Sequence, residues 1–129
     1  MNTNNKIVQL SDLFTRSRAN EGMDLPVLFP DKSDTGYTIH ILGIDSDQWR
    51  KGRATHAKAL VDISLLPEEA QEEAKREAEI VLLAGMITGW TLPGEFTREN
   101  VITLLREAPD IYDQVNVGIA HRSAFFEKR

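Results

Sequence analysis

The apolar positions along this chain keep two different periods. From Tyr37 to Leu42 they alternate: Tyr37, Ile39 and Ile41 fall on one side, and Thr38, His40 and Leu42 on the other. That is the signature of a strand with unlike faces. MDLPVLF upstream also reads as extended, and Pro26 confines it to an edge. The cluster PDKSDTG between them is turn chemistry. The two runs therefore predict a β-hairpin, Met23–Phe29 against Tyr37–Ile44. A lone hairpin is marginal in water. It must dock on helices, find a third strand or pair with another copy.

Elsewhere the period is helical. Apolar Ile7, Val8 and Leu10 precede Ser11, an N-cap for a short helix that Gly22 ends, with Leu13 and Phe14 as its expected buried side chains. Asp45-Ser46-Asp47 opens a helix to about Ser64. Trp49, Ala57, Leu60, Val61 and Ile63 give it an apolar side, and Arg50, Lys51, Arg53 and Lys58 a basic one. Pro67 starts a second, acidic helix with Glu68 and Glu69 at its positive end and alanines at 70, 74 and 78. It runs into AEIVLLAGMITGW, Ala78–Trp90, which is apolar all round and so reads as a buried core helix ending near Gly89-Trp90. Thr97 caps a helix whose inner face is Val101, Ile102, Leu104 and Leu105. Pro109 restarts the chain for a last helix through Phe126, carrying Ile111, Tyr112, Val115, Ile119 and Phe126 at helical spacing. The tail Glu127-Lys128-Arg129 is expected to be exposed. The expected class is mainly α: a helical domain of about four to five helices with a small N-terminal β-hairpin. It is read as a single domain over 1–129, with an N-terminal segment at 1–22, a hairpin arm at 23–44 and a helical core at 45–129.

Composition narrows the chemistry. The chain has 129 residues, no cysteine and a net charge of −5. Length suffices for a core without staples. Disulfides, thiolate zinc sites and a thiol nucleophile are excluded, which fits a reducing cytoplasm. Scattered cations in an acidic chain argue against a nucleic-acid partner. The apolar core run is too short for a bilayer and the N-terminus lacks a secretory pattern, so no membrane role is expected. His40, His56 and His121 are not spaced as ligands, and Asp45 and Asp47 are explained by a helix cap without a metal. No phosphate loop, dinucleotide fingerprint or nucleophile elbow occurs. No catalytic residue, cofactor or metal is therefore assigned. Gly85 and Gly89, in GMITG, are expected to let another helix pack closely. The large apolar groups nearest loops and the C-terminus, Trp90, Leu92, Phe96, Phe125 and Phe126, serve either core closure or a partner-docking patch, and they are the candidate binding residues.

The β arm with LGIDSD leading into Trp49, the GWTL segment at Gly89–Leu92 and the helix EFTRENVITLL that follows resemble the tail assembly chaperones of long-tailed phages and prophages. The resemblance spans roughly residues 20–126. It implies a small, non-enzymatic protein of the host cytoplasm. Such a protein binds the long helical tape measure protein, assists tail tube protein subunits in polymerising around it, and is absent from the finished virion. The family often makes a longer form by frameshifting; this sequence shows no such extension and would be the short form. A homo-oligomer through the hairpin is compatible with free strand edges. The competing expectation is another structural or minor tail component present in the virion.

Overall fold

The computed structural model describes residues 9–126. The predicted apolar start at Ile7 and Val8 and the exposed tail at 127–129 lie outside them. A 3-10 turn at Leu10–Leu13 leads into α1, Arg16–Glu21. Strands β1, Met23–Leu28, and β2, Asp34–Ile41, follow. Helices α2, Asp47–Ile63, and α3, Glu68–Ala84, pack against each other in the middle of the chain. Strand β3, Ile87–Trp90, precedes α4, Arg98–Glu107, and α5, Pro109–Ala120. A second 3-10 segment, Arg122–Phe126, ends the described chain. Mainly α holds.

The sheet is larger than a hairpin. It has three antiparallel strands in the order β1-β2-β3. Ile39 faces Leu25 on one side and Trp90 on the other, and Ile41 lies between Met23 and Ile87. The third strand needed by the marginal hairpin thus comes from the same chain, 46 residues after β2 as Ile41 to Ile87 are counted. The expected core helix over Ala78–Trp90 is corrected accordingly. Its helical part ends at Ala84 with Gly85 as C-cap, and Ile87-Thr88-Gly89-Trp90 is strand. β-branched and aromatic residues suit a pleated surface, and the open edge of β2 supplies the ladder. Nor is the helix buried all round: Ile80, Leu83 and Ala84 are buried, whereas Val81 is 40% exposed. The helix–helix approach expected at Gly85 and Gly89 divides: a Cβ at Gly85 would stand 3.4 Å from Gln48 Nε2 on α2, whereas one at Gly89, which lies in the strand, would meet nothing within 4 Å.

α5 lies against the sheet through Gly118, where a Cβ would stand 3.1 Å from both Ile41 Cδ1 and Leu25 Cδ1. α3 and α4 pack beside it. Ile39, Ile41, Ile80, Met86, Leu105 and Val115 at the junction are fully buried. α2 is an outer helix, packed mainly on α3. Of its expected apolar side only Ile63 is buried and Trp49 half-buried; Leu60 and Val61 face solvent. Two further expectations fail. Leu13 and Phe14 are exposed, and the helix around them is split, with Ala19 its buried residue. The last helix stops at Ala120, and the 3-10 segment turns Phe125, not Phe126, into the core.

The LGIDSD segment, residues 42–47, ties these pieces together. Leu42 N–H donates to Met86 O, Gly43 N–H to Ala19 O and Ile44 N–H to Ile119 O, each at 2.9–3.0 Å. Ser46 caps α2, its Oγ accepting from Trp49 N–H at 3.1 Å, as predicted. Asp45 accepts a two-pronged Arg122 guanidinium at 2.7 and 2.9 Å, and Asp47 takes that of Arg16 at 2.6 and 3.0 Å. A cap alone does not explain the two aspartates: they fasten α1 and the second 3-10 segment to the start of α2.

These pairs give a pH signature. The Arg122 guanidinium holds the Asp45 carboxyl below the usual carboxylate range, against the opposing pull of burial. A folded-state value below the unfolded one contributes stability above the unfolded pKa, about 3.9 for aspartate, and loses it as pH falls through the folded value. Asp45→Asn is therefore expected to lower Tm at pH 7, with the deficit shrinking below about pH 4. Thermal melts of both proteins at pH 7 and pH 3 check this; a deficit of equal size at both would refute it.

Candidate interaction surfaces

The candidate residues Trp90, Leu92, Phe96, Phe125 and Phe126 divide between two places. β3 and the loop after it hold the first three. Trp90 meets Phe96 edge-on, ring centroids 5.3 Å apart, and its indole N–H donates to Gly94 O at 3.1 Å. Gly94, at φ 104, makes the return possible. Leu92 is half-buried against the core and Phe96 remains 40% exposed. Phe125 is buried at 3%, beside Ala19 and Gly43, where a Cβ on Gly43 would stand 3.2 Å from its ring. Phe126 is half-buried with the Arg18 guanidinium 4.8 Å above it.

The histidines also lie apart in function. His40 sits between Asp24 Oδ1 at 2.8 Å and Glu21 O at 2.9 Å, bracing β1 and α1. His56 lies on the inner side of α2, with its Nε2 buried and unpartnered. His121 is the C-cap of α5. Among the described residues no group of three or more potential metal ligands lies together, and no helix is long and apolar enough to cross a membrane. On the acidic helix, Arg106 of α4 grips Glu77 at 2.7 and 3.0 Å and holds its carboxyl below the usual range. Burial, with Glu79 nearby, pushes the Tyr112 phenol up.

Two surfaces were missed from sequence. The turn joining α2 and α3 exposes Val61 at 64% and Leu65 at 82%, with Leu60 and Leu66 beside them. The signal was present: ISLLP puts apolar residues where a helix–helix turn normally places polar ones. The second is an open groove of about 280 Å³ between α2 and α3, lined by Gln48, Gly52, His56, Ala78, Val81 and Arg98 among others. Arg98 comes from α4, a contribution no local pattern reveals.

Fold and surface together define a mainly helical protein on a three-stranded sheet, with apolar exposures that include the N-terminal 3-10 turn, the α2–α3 tip, a groove and the loop after β3. The phage tail assembly chaperone family model matches residues 26–129, most of the chain. The chain belongs to that family, which gives it a role in phage tail assembly and implies interaction with phage tail proteins. No curated protein and no solved structure matches it.

Proposed function

We propose that this protein is a non-enzymatic chaperone of the host cytoplasm that binds the tape measure protein and assists tail tube protein subunits in assembling around it. The observation that carries the reading is the family match over residues 26–129. It is supported by the exposure of large apolar groups at the α2–α3 turn and in the loop after β3, where a partner can reach them. The chain acts as one domain over 1–129. Of the candidate residues, Trp90, Leu92 and Phe96 form the docking patch, with Phe126 at a second margin and Phe125 supporting it from the core. Among the described residues, self-association through the sheet would use the outer edges of β1 and β3, because β3 fills the second edge of β2.

Co-expression with the tape measure protein tests the reading. A soluble complex is expected to form, and the protein to be missing from purified virions by mass spectrometry. A tape measure protein that stays insoluble and unbound would refute the chaperone role, and a stoichiometric copy number in virions would favour a structural component. Phe96→Asp, which also removes the edge-on contact with Trp90, is expected to cost about 1–2 kcal/mol and lower Tm by several degrees without unfolding the protein, while reducing the soluble yield of the partner severalfold. An undiminished yield removes Phe96 from the patch.

A further inference from the structure

We propose that α1 and the second 3-10 segment form one clasp, which opens as a unit while the rest of the protein stays folded. Each piece alone is weakly anchored. α1 buries one residue, Ala19, and the 3-10 segment one, Phe125. The ion pairs that hold them, Arg16 to Asp47 and Arg122 to Asp45, have arginine side chains 65% and 60% exposed, and pairs so exposed contribute little. The fully buried junction of Ile39, Ile41, Ile80, Met86, Leu105 and Val115 draws on neither piece. Few buried contacts and solvent-exposed ties are the marks of a segment that opens below the global limit.

The two pieces are joined because they grip the same residues. A Cβ on Gly43 would stand 2.9 Å from Ala19 Cβ and 3.2 Å from Phe125 Cζ, so both apolar anchors converge on one glycine. Gly43 N–H also donates to Ala19 O at 3.0 Å. Asp45 accepts from the Thr15 hydroxyl at the start of α1 and from the Arg122 guanidinium of the 3-10 segment. The Arg18 guanidinium lies over the Phe126 ring. Releasing either piece strips the other of these contacts, which couples the two openings. The joints are placed for it. α1 ends at Gly22, φ 84, and the next residue, Met23, is fixed to Ile41. The 3-10 segment starts after His121, the C-cap of α5, whose ψ of 78 has left the helix. Opening at these joints uncovers Gly43 and Ile119. It also withdraws Asn20 Oδ1, which accepts from Asp47 N–H at 2.8 Å at the start of α2. A molecule that holds either piece therefore biases the other.

Hydrogen exchange of the full chain in low, rising urea tests the clasp. The amides of Gly22, Gly43 and Ala124 donate to Arg18 O, Ala19 O and His121 O, and Leu42 N–H donates to Met86 O behind them. In the wild type the first three are expected to share one opening equilibrium with a shallow urea dependence, and Leu42 to exchange more slowly with a steeper one. Ala19→Gly should cut protection about fivefold at Gly43, the helix-propensity deficit of glycine, and by the same factor at Ala124 across the joint. Phe125→Leu should return the effect, lowering Gly22 and Gly43 as far as Ala124. Arg122→Ala, at the exposed pair, carries the reciprocal arm if thermal melts show that Phe125→Leu does not fold. Undiminished protection of Ala124 in Ala19→Gly means that the pieces open separately, and undiminished protection of Gly43 means that α1 does not shield it. Either result overturns the clasp. So does a wild type in which all four amides share one urea slope, since the pieces then leave only with the whole fold.

Discussion

Gly22→Ala is expected to destabilise the protein by about 3 kcal/mol or more, a large part of the roughly 5–15 kcal/mol a domain of this kind holds in reserve. Gly22 ends α1 and starts the sheet with φ 84 and ψ −174, a region that side-chain-bearing residues avoid at a cost of about 1–3 kcal/mol. The conformation is imposed from both sides. Gly22 N–H donates to Arg18 O at 3.0 Å to close α1, and Met23 is already paired with Ile41. A Cβ there would also stand 2.5 Å from Ile41 O and 2.6 Å from His40 Nε2. Neither neighbour can give way: the carbonyl belongs to the central strand, and His40 is held by Asp24 and Glu21. Gly36 shares the φ of 84 but has nothing within 4 Å of a Cβ. Gly36→Ala is the control, expected to lose only about 1–2 kcal/mol from the backbone. Urea unfolding should show the Gly22→Ala midpoint falling by about 1 M or more at constant m. Equal losses in the two variants would mean that contact with β2 contributes nothing.

Gly22 also marks where local reading works. Its role as a stop, the caps at Ser46 and Thr97, the edge position of Pro26 and the restart at Pro109 each depend on residues within a few positions, and each is visible in the sequence. What failed depends on partners far along the chain. Ile87-Thr88-Gly89-Trp90 is apolar enough to continue a helix, and a short apolar run has no period that distinguishes helix from strand. The free edge of β2 decides it. Leu13, Phe14, Leu60 and Val61 are apolar in a helical pattern, and pattern alone assigns such residues inward; among the described residues no element covers them. The surfaces were legible in the same measure. Trp90 and Phe96 are both candidates and do touch, because the five residues between them, Pro93 and Gly94 included, make a tight return. Phe125 and Phe126 were grouped with them only by size, and the 3-10 turn sends them elsewhere. Asp45 and Asp47 were read as caps because Arg122 and Arg16, their partners, lie 77 and 31 residues away.

Ile41→Ala should be the most damaging single truncation in the sheet, at about 4 kcal/mol, toward the upper end of the 2–5 kcal/mol typical of such changes. The cost depends on how far the surroundings can close over the hole. Ile41 is fully buried on the central strand, locked to Met23 on one side and Ile87 on the other. The element facing it, α5, already approaches to backbone distance at Gly118. Collapse is blocked in both directions, so the cavity stays open. The same geometry predicts a repair. Alanine at position 118 in the native protein would press on Ile41 Cδ1 and Leu25 Cδ1, both 3.1 Å from the new methyl. With Ile41 shortened, the first of those contacts is gone and the methyl enters the space it left. It also relieves the helix-propensity deficit of glycine, about 1 kcal/mol in a helix interior. The double variant Ile41→Ala/Gly118→Ala is therefore expected to be more stable than the sum of the single changes by about 0.5 kcal/mol or more. Denaturant titration of the four proteins closes the cycle. Strict additivity would mean that α5 moves away from the sheet on truncation, and that the contact at Gly118 does not hold the helix in place.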